Sequence, residues 1–308
     1  MERGDFRVAV LMATKDGGRF LQEQLESIAS QSHANWCLYV SDDASKDDTV
    51  AILEHFLMRT SYSIKIRPGP NSGYANNFMS LARDPKIEAN YFAYCDQDDM
   101  WFDDKLARAI DHLCQVPRNV PALYCSRTLL VDEQNRELLG LSPLFARRPD
   151  FANALVQNIG GGNTMVFNLA TKRLLEKTNT PVVAHDWWTY QIVTATGGVT
   201  IYDEKPSLKY RQHGLNAVGS KIGWAARSIR LLNMFQGQSG KWNEKNIDAL
   251  HSIECLVTSE NLKRLTIFEL ARKGPLLYRI ANLWRSGVYR QTLAGNAGMY
   301  VAAALAKL

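Results

Sequence analysis

The sequence predicts an α/β fold, a mostly parallel twisted sheet flanked by helices, followed by a C-terminal helical appendage. Three observations predict it. Short apolar runs alternate with segments of helical periodicity, polar or acidic clusters follow several of those runs, and strand character largely disappears beyond residue 222. Alternation of this kind implies strands laid parallel with helices covering both faces.

Residues 6–13 are a valine-rich apolar run that suits a buried strand. A helix follows, because Phe20, Leu21, Leu25, Ile28 and Ala29 fall on one helical face with Gln, Glu and Ser between them. Residues 36–41 read as the second strand. The next helix turns Val50, Leu53 and Leu57 inward, and Ser45 to Asp48 has the spacing of a capping box. Residues 62–67 predict a strand, 76–82 a short helix, 91–95 a buried strand and 106–113 a helix. After Pro121 the pattern loosens, with strands over residues 122–131 and 164–167 separated by a stretch containing Pro, Arg and Gly.

At 308 residues the chain is long enough for a full hydrophobic core, and its 46% hydrophobic and 22% charged residues are ordinary globular usage. Five cysteines, widely spaced and without a Cys-x-x-Cys pair, read as buried thiols in a reducing compartment. The apolar run at residues 8–13 is too short for a signal-peptide core, and no stretch approaches a membrane-spanning length. A cytoplasmic protein is expected. The net charge of +5 is unevenly spread: residues 220–308 hold 13 Lys and Arg against 5 Asp and Glu. This divides the chain into an α/β domain over residues 1–219 and a basic helical region over residues 220–308, with different partners.

Ligands of open α/β sheets bind outside the carboxyl ends of the strands, and the polar clusters sit there. Thr14-Lys15-Asp16 follows the first strand, Asp42-Asp43 the second, and Asp96-Gln97-Asp98-Asp99 a later one. The last cluster crowds three carboxylates that repel one another without a cation, so it could hold a hard divalent ion; taken alone, such a motif is more often a solvated or capping acidic turn at the start of the next helix. Asp42-Asp43 has the same two readings, a cap or a hydrogen-bond acceptor for a base or ribose. His185-Asp186-Trp187-Trp188 sets a carboxylate beside two aromatics that can raise its pKa toward a general base and suit sugar rings; the alternative is a core tryptophan pair beside an incidental Asp. His213 alone would be an ordinary histidine, but with a carboxylate site nearby it would favour Mn²⁺ or a similar transition ion over Ca²⁺.

Taken in order, these residues resemble family 2 glycosyltransferases of the GT-A fold, particularly the bacterial rhamnosyltransferase branch. The likeness runs from Val8 through Ser41-Asp42-Asp43-Ala44-Ser45, Asn71-Ser72-Gly73-Tyr74 and Asn77-Phe78. It continues in Asp96-Gln97-Asp98-Asp99-Met100-Trp101, in His185-Asp186-Trp187-Trp188 and in Tyr210-Arg211-Gln212-His213-Gly214-Leu215-Asn216. The resemblance implies a GT-A catalytic domain that uses a nucleoside diphosphate sugar, with dTDP-rhamnose favoured. It implies that Ala13, Thr14, Lys15, Asp43, Asn77, Asp96 and Gln97 bind the nucleotide sugar, that Asp98 and His213 bind Mn²⁺ or Mg²⁺, and that Asp186 is the base of an inverting displacement. Trp187, Trp188, Asn163 and Arg211 would contact sugar or acceptor. The acceptor implied is a glycan or lipid-linked glycan of the bacterial surface, and no nucleic-acid partner is expected. The family commonly has Tyr-Asn where this chain has Lys15-Asp16, so a stacking tyrosine is missing.

A nucleotidyltransferase would need a Gly-rich basic loop after the first strand, of which residues 13–18 are a poor version, and a dinucleotide oxidoreductase would need Gly-x-Gly-x-x-Gly there. A noncatalytic protein that kept the fold is the other alternative; Asp98 and Asp186 argue against it. The loop Gly160-Gly161-Gly162-Asn163 resembles a segment near the acceptor, or is a bend before the next strand. In residues 275–290, Leu276, Leu277, Ile280, Leu283, Trp284 and Val288 share an arc, with Arg279, Arg285 and Arg290 outside it. That arc would pack on the catalytic domain, lie on an anionic membrane, or do both.

Overall fold

The computed structural model describes residues 3–213 and 238–308. Its main sheet contains β1 (Val8–Thr14), β2 (Trp36–Asp42), β3 (Ser63–Pro68), β4 (Tyr91–Cys95), β6 (Ala122–Ser126), β9 (Val166–Asn168) and β10 (Val199–Asp203). The order across the sheet is β10-β6-β9-β4-β1-β2-β3. Every neighbouring pair is parallel except those of β9, which runs antiparallel between β4 and β6.

The apolar runs follow from burial on both faces of the sheet. Side chains alternate along a strand, so Ala9 and Leu11 enter one hydrophobic cluster while Val8, Val10 and Met12 enter the other. The second cluster is closed by α1 (Gly18–Ala29), α2 (Thr49–Arg59) and α4 (Lys105–Leu113), which contribute Leu21, Leu25, Ile28, Leu53, Leu106 and Ile110. The first cluster takes in α3 (Tyr74–Ala82), α5 (Phe151–Ala154), α6 (Leu169–Glu176) and α7 (His185–Ala195). The same cluster continues into α8 (Gln238–His251), α9 (Ser259–Ala271), α10 (Leu276–Ser286) and α11 (Leu293–Ala304), through Leu250, Leu265, Phe268, Leu283 and Met299. The helical region therefore shares a core with the sheet.

A smaller sheet, ordered β5-β11-β7-β8, is made of β5 (Met100–Trp101), β7 (Leu129–Val131), β8 (Glu137–Leu141) and β11 (Leu208–Arg211). Residues 122–131 thus form two strands in different sheets rather than one. Helix α2 buries Thr49, Leu53 and Phe56, while Leu57 is 40% exposed, so its inward face is rotated from the expected one. The expected capping box is absent too: the N-cap is Asp48 without a side-chain cap, and the Ser45 hydroxyl bonds Asp42 instead. The arc in residues 275–290 is split, with Leu283 and Val288 buried and Leu277 and Trp284 turned outward. The boundary at residues 219 and 220, and Gly214, Leu215 and Asn216 of the closing motif, lie outside the described residues.

Candidate active site

Parallel pairing brings the strand ends together: Thr14 lies beside Asp42 in register, and Met12 beside Cys95. The loops after β1, β2 and β4 therefore open at one edge, as the sequence implied. They are tied by side chains. Thr14 Oγ1 donates to Asp42 Oδ1 at 2.8 Å, and Ser45 donates to both Asp42 oxygens, its amide at 2.9 Å and its hydroxyl at 2.5 Å. Gln97 pairs with both backbone groups of Lys15, accepting at 2.8 Å and donating at 2.9 Å, like one rung of a sheet. Gly17 permits this, since a Cβ there would sit 2.3 Å from the Gln97 amide oxygen.

Asp43 is buried and accepts the Asn71 amide at 2.9 Å; Gly69 lets it pack, because an added Cβ would stand 2.3 Å from its Oδ1 and 2.8 Å from Asn77 Oδ1. Asn77 donates to the Ser41 carbonyl at 2.9 Å. Lys15 folds its ammonium onto the Asp43 carbonyl, with the Ala44 carbonyl at 3.3 Å and Asn71 Oδ1 at 3.5 Å. Where relatives in the resemblance carry a stacking ring, this chain has a strut between three loops. Ala13 is half-buried on β1, beside Ser41 of β2.

Neither acidic pair caps a helix. The loop from Asp96 leads into β5, α4 begins at Lys105 with Asp104 as its N-cap, and α2 begins at Thr49 after Asp48. Asp98 Oδ2 and His213 Nε2 are 2.7 Å apart. Asp96 is pushed up to about 8, first by burial and then by the charges of Asp98 and Asp186, with Lys105 opposing. These three aspartates therefore feel one another across the crevice.

Asp186 sits in the first turn of α7, where the helix dipole favours a carboxylate. Its Oδ2 accepts the Gly162 amide at 3.2 Å and its Oδ1 the Trp187 amide at 2.7 Å. The Gly-rich loop is thus more than a bend. Beyond Gly162, Asn163 is buried, donates to Asp99 Oδ2 at 2.6 Å, and accepts the Lys105 ammonium on its carbonyl at 2.8 Å. A continuous set of contacts links the acidic loop, the Gly-rich loop and Asp186.

The four residues expected at the sugar or acceptor all make contacts within the protein. Trp188 is 0% exposed within the main core, and the Trp187 indole donates to the Ala154 carbonyl at 2.7 Å. Asn163 holds Asp99, as above. Arg211, 1% exposed, donates to the Asp98 carbonyl at 3.1 Å, the Glu133 carbonyl at 2.7 Å and Glu23 Oε2 at 2.7 Å, and lies over Phe20. It fastens β11 to the acidic loop.

Residues 9–174 match Glycosyl transferase family 2. The dTDP-rhamnosyl transferase RfbG of Shigella flexneri is 32% identical over 230 residues, covering 71% of this chain and 78% of that protein. The chain belongs to glycosyl transferase family 2. A second relative is the UDP-Glc:alpha-D-GlcNAc-diphosphoundecaprenol beta-1,3-glucosyltransferase WfgD of Escherichia coli, 24% identical over 51% of this chain and 58% of that protein. The GT-A fold is shared with solved structures. S. aureus TarS in complex with UDP-GlcNAc matches with a TM-score of 0.56 at 13% identity, over 98% of this chain and 90% of that one. The mannosyltransferase PcManGT from Pyrobaculum calidifontis, in complex with GDP-Man and Mn²⁺, matches at 0.54 and 19% identity, over 99% and 88%.

In this family 2 glycosyltransferase, Asp98 and His213 are the donor pair that could hold a divalent ion. Among the described residues no three His, Cys, Asp or Glu side chains converge at metal-binding spacing. A carboxylate oxygen with one imidazole nitrogen suits Mn²⁺ better than Mg²⁺, which prefers oxygen alone, and either ion usually fills its other positions with water and substrate phosphate. A cation there would relieve the repulsion from Asp98 and Asp186 that adds to burial in lifting Asp96. Sequence reasoning gave no role to Tyr74 or Lys105. The Tyr74 ring is 44% exposed, stands edge-on to His185, and its hydroxyl is raised by burial and then by Asp186 and Asp96. Lys105 is fully buried and lowered to about 7 by that burial. The signal for Tyr74 was its place after Gly73, whose φ of 91° starts α3; a lysine opening a helix gives none.

Proposed function

We propose that this glycosyltransferase moves L-rhamnose from dTDP-rhamnose, with inversion, to a hydroxyl of a bacterial surface glycan such as lipopolysaccharide core, O-antigen or another cell-wall polysaccharide, free or lipid-linked. Similarity to RfbG over most of both chains supports the donor. The observation that carries the mechanism is Asp186 at the head of α7, sharing one electrostatic cluster with Asp96 and Asp98. In this reading residues 1–219 are the catalytic domain and residues 220–308 its basic helical region. Asp43 and residues 13–15 receive the base, and Asp96 with Gln97 the ribose and diphosphate side.

Asp186 takes the proton of the acceptor hydroxyl as that oxygen bonds to the anomeric carbon, and the bond to the diphosphate oxygen breaks on the opposite face. Mn²⁺ or Mg²⁺ held by Asp98 and His213 would supply positive charge to the departing diphosphate. The contacts from Gly162 keep the Asp186 carboxylate fixed, so little reorganisation is needed at the moment of transfer.

Thermal unfolding in the presence of a panel of nucleotide sugars, with and without Mn²⁺ or Mg²⁺, tests this reading. A raised Tm with dTDP-rhamnose that requires the ion is expected. Protection by UDP or GDP sugars alone would overturn the donor, and protection without an ion would overturn the metal.

A further inference from the structure

Helix α11 has no charged side chain, yet only part of its surface is covered. Met299, Ala302 and Ala303 are buried, whereas Leu293 (90% exposed), Ala297, Val301 and Leu305 face outward at helical spacing. Helix α10 does the same. Its Leu283 is 1% exposed, while Leu277 (82%), Ala281 and Trp284 (76%), spaced i, i+4 and i+7, point to solvent. Such contiguous apolar exposure on two successive helices marks a surface that meets something.

We propose that the outward faces of α10 and α11 dock on an anionic lipid bilayer. Charge argues for this occupant. Residues 270–308 contain six Lys and Arg and no Asp or Glu. Three of these cations are engaged internally: Arg272 donates to the Leu308 and Gly240 carbonyls at 3.0 and 2.9 Å, Arg279 to the Ala303 and Ala304 carbonyls at 2.7 and 2.8 Å, and Arg290 to the Val156 carbonyl at 2.9 Å. Lys273 and Arg285 are exposed, flanking the α10 stripe at its start and end. A second copy of the chain would bring the same positive charge against itself, whereas a negative headgroup layer attracts it. No helix among the described residues is long and apolar enough to cross a membrane, so the two helices would lie in the interface with Leu277, Trp284 and Leu293 inserted. The helices are fixed to the catalytic domain, since Tyr289 and Gln291 bond to the backbone of Arg148 and Arg147. Docking would therefore set the orientation of the active site to the bilayer, where a lipid-linked acceptor resides.

The test is sedimentation of the full chain with phosphatidylglycerol-containing vesicles and with pure phosphatidylcholine vesicles. Binding to the former, at least tenfold weaker to the latter and weakened by salt, is expected. The triple variant Leu277→Gln, Trp284→Gln, Leu293→Gln should lose tenfold or more while keeping its Tm, because all three side chains are outside the core. Should that variant misfold, Lys273→Glu with Arg285→Glu gives the same loss through charge. Wild type left in the supernatant, undiminished binding by a folded variant, or a dimer that the triple variant dissolves would each overturn the proposal. Nucleotide-sugar protection measured on the same samples should be unchanged, so failure here is distinct from failure of the transfer reading.

Discussion

His185 and Asp186 are adjacent in sequence but meet opposite surroundings, and the chemistry of the site follows from the difference. The Asp186 carboxylate is held by two backbone amides at a helix start, whereas the His185 ring is stacked on Phe78 at 4.0 Å, edge-on to Tyr94, with neither nitrogen bonded to a protein group among the described residues. On the proposed mechanism Asp186→Asn would remove the proton acceptor without changing shape, so turnover should fall by about 10²–10⁴-fold while dTDP-rhamnose still raises the Tm; turnover near wild type would place the base elsewhere. His185 is lowered from 6.5 to about 4 by burial, against the pull of Asp186. Its contribution to stability is full above pH 6.5, where both states are neutral. It is lost as the pH falls toward 4, because the unfolded chain then binds a proton that the folded one refuses, a difference on the order of 3 kcal/mol. Urea melts across that window should show wild type losing more stability than His185→Gln; equal slopes would mean the ring titrates normally. Gly162 faces the same ring, and an added Cβ would lie 2.3 Å from its Nε2. Gly162→Ala should therefore cost about 1–3 kcal/mol and shift the amide that holds Asp186. A drop in kcat larger than the change in KM, in protein still folded at the assay temperature, is the signature expected.

At the scale of elements, how much could be read in advance depended on whether an element buries one face or two. β4 was legible to the residue, since Tyr91 to Cys95 are all buried and make an unbroken apolar run. The direction of β9 was not, because apolar periodicity carries no information on which way a strand runs. Helix α2 was misaligned by the competing i, i+7 pair Val50 and Leu57, which hid the true Thr49, Leu53 and Phe56 face. The acidic loops were legible because parallel strands bring their carboxyl ends together. Their supports were not: Lys105 reaches Asn163 across 58 positions, Asn163 reaches Asp99 across 64, and Arg211 reaches Glu23 across 188. Arg211 joins β11, the acidic loop and α1 with a planar fork that lysine cannot reproduce. Arg211→Lys should lower stability by about 1–3 kcal/mol and weaken ion-dependent donor protection, because the Asp98 backbone is no longer anchored. Unchanged protection would show that β11 and the acidic loop hold their places without the fork.

For the whole molecule, the main hydrophobic cluster runs from Leu11 and Tyr94 in the sheet, through Trp188 and Tyr190 of α7, to Phe268 and Leu283 of the C-terminal helices. A continuous core of this kind should unfold as one cooperative unit. Leu283 and Leu277 lie on the same short helix and provide an internally controlled comparison, one 1% and the other 82% exposed. Leu283→Ala opens a cavity and should cost about 2–5 kcal/mol, whereas Leu277→Ala should stay within about 0.5 kcal/mol of wild type. If the core is shared, the Leu283→Ala loss appears equally in hydrogen exchange of the slowest amides of β4 and of α7, far from the substituted residue in the chain. Faster exchange confined to α9, α10 and α11, with β4 protected as before, would mean that the helices can detach from the catalytic sheet. In that case a face held on a bilayer could not fix the orientation of Asp186, so this measurement decides whether surface docking and catalytic geometry are mechanically one.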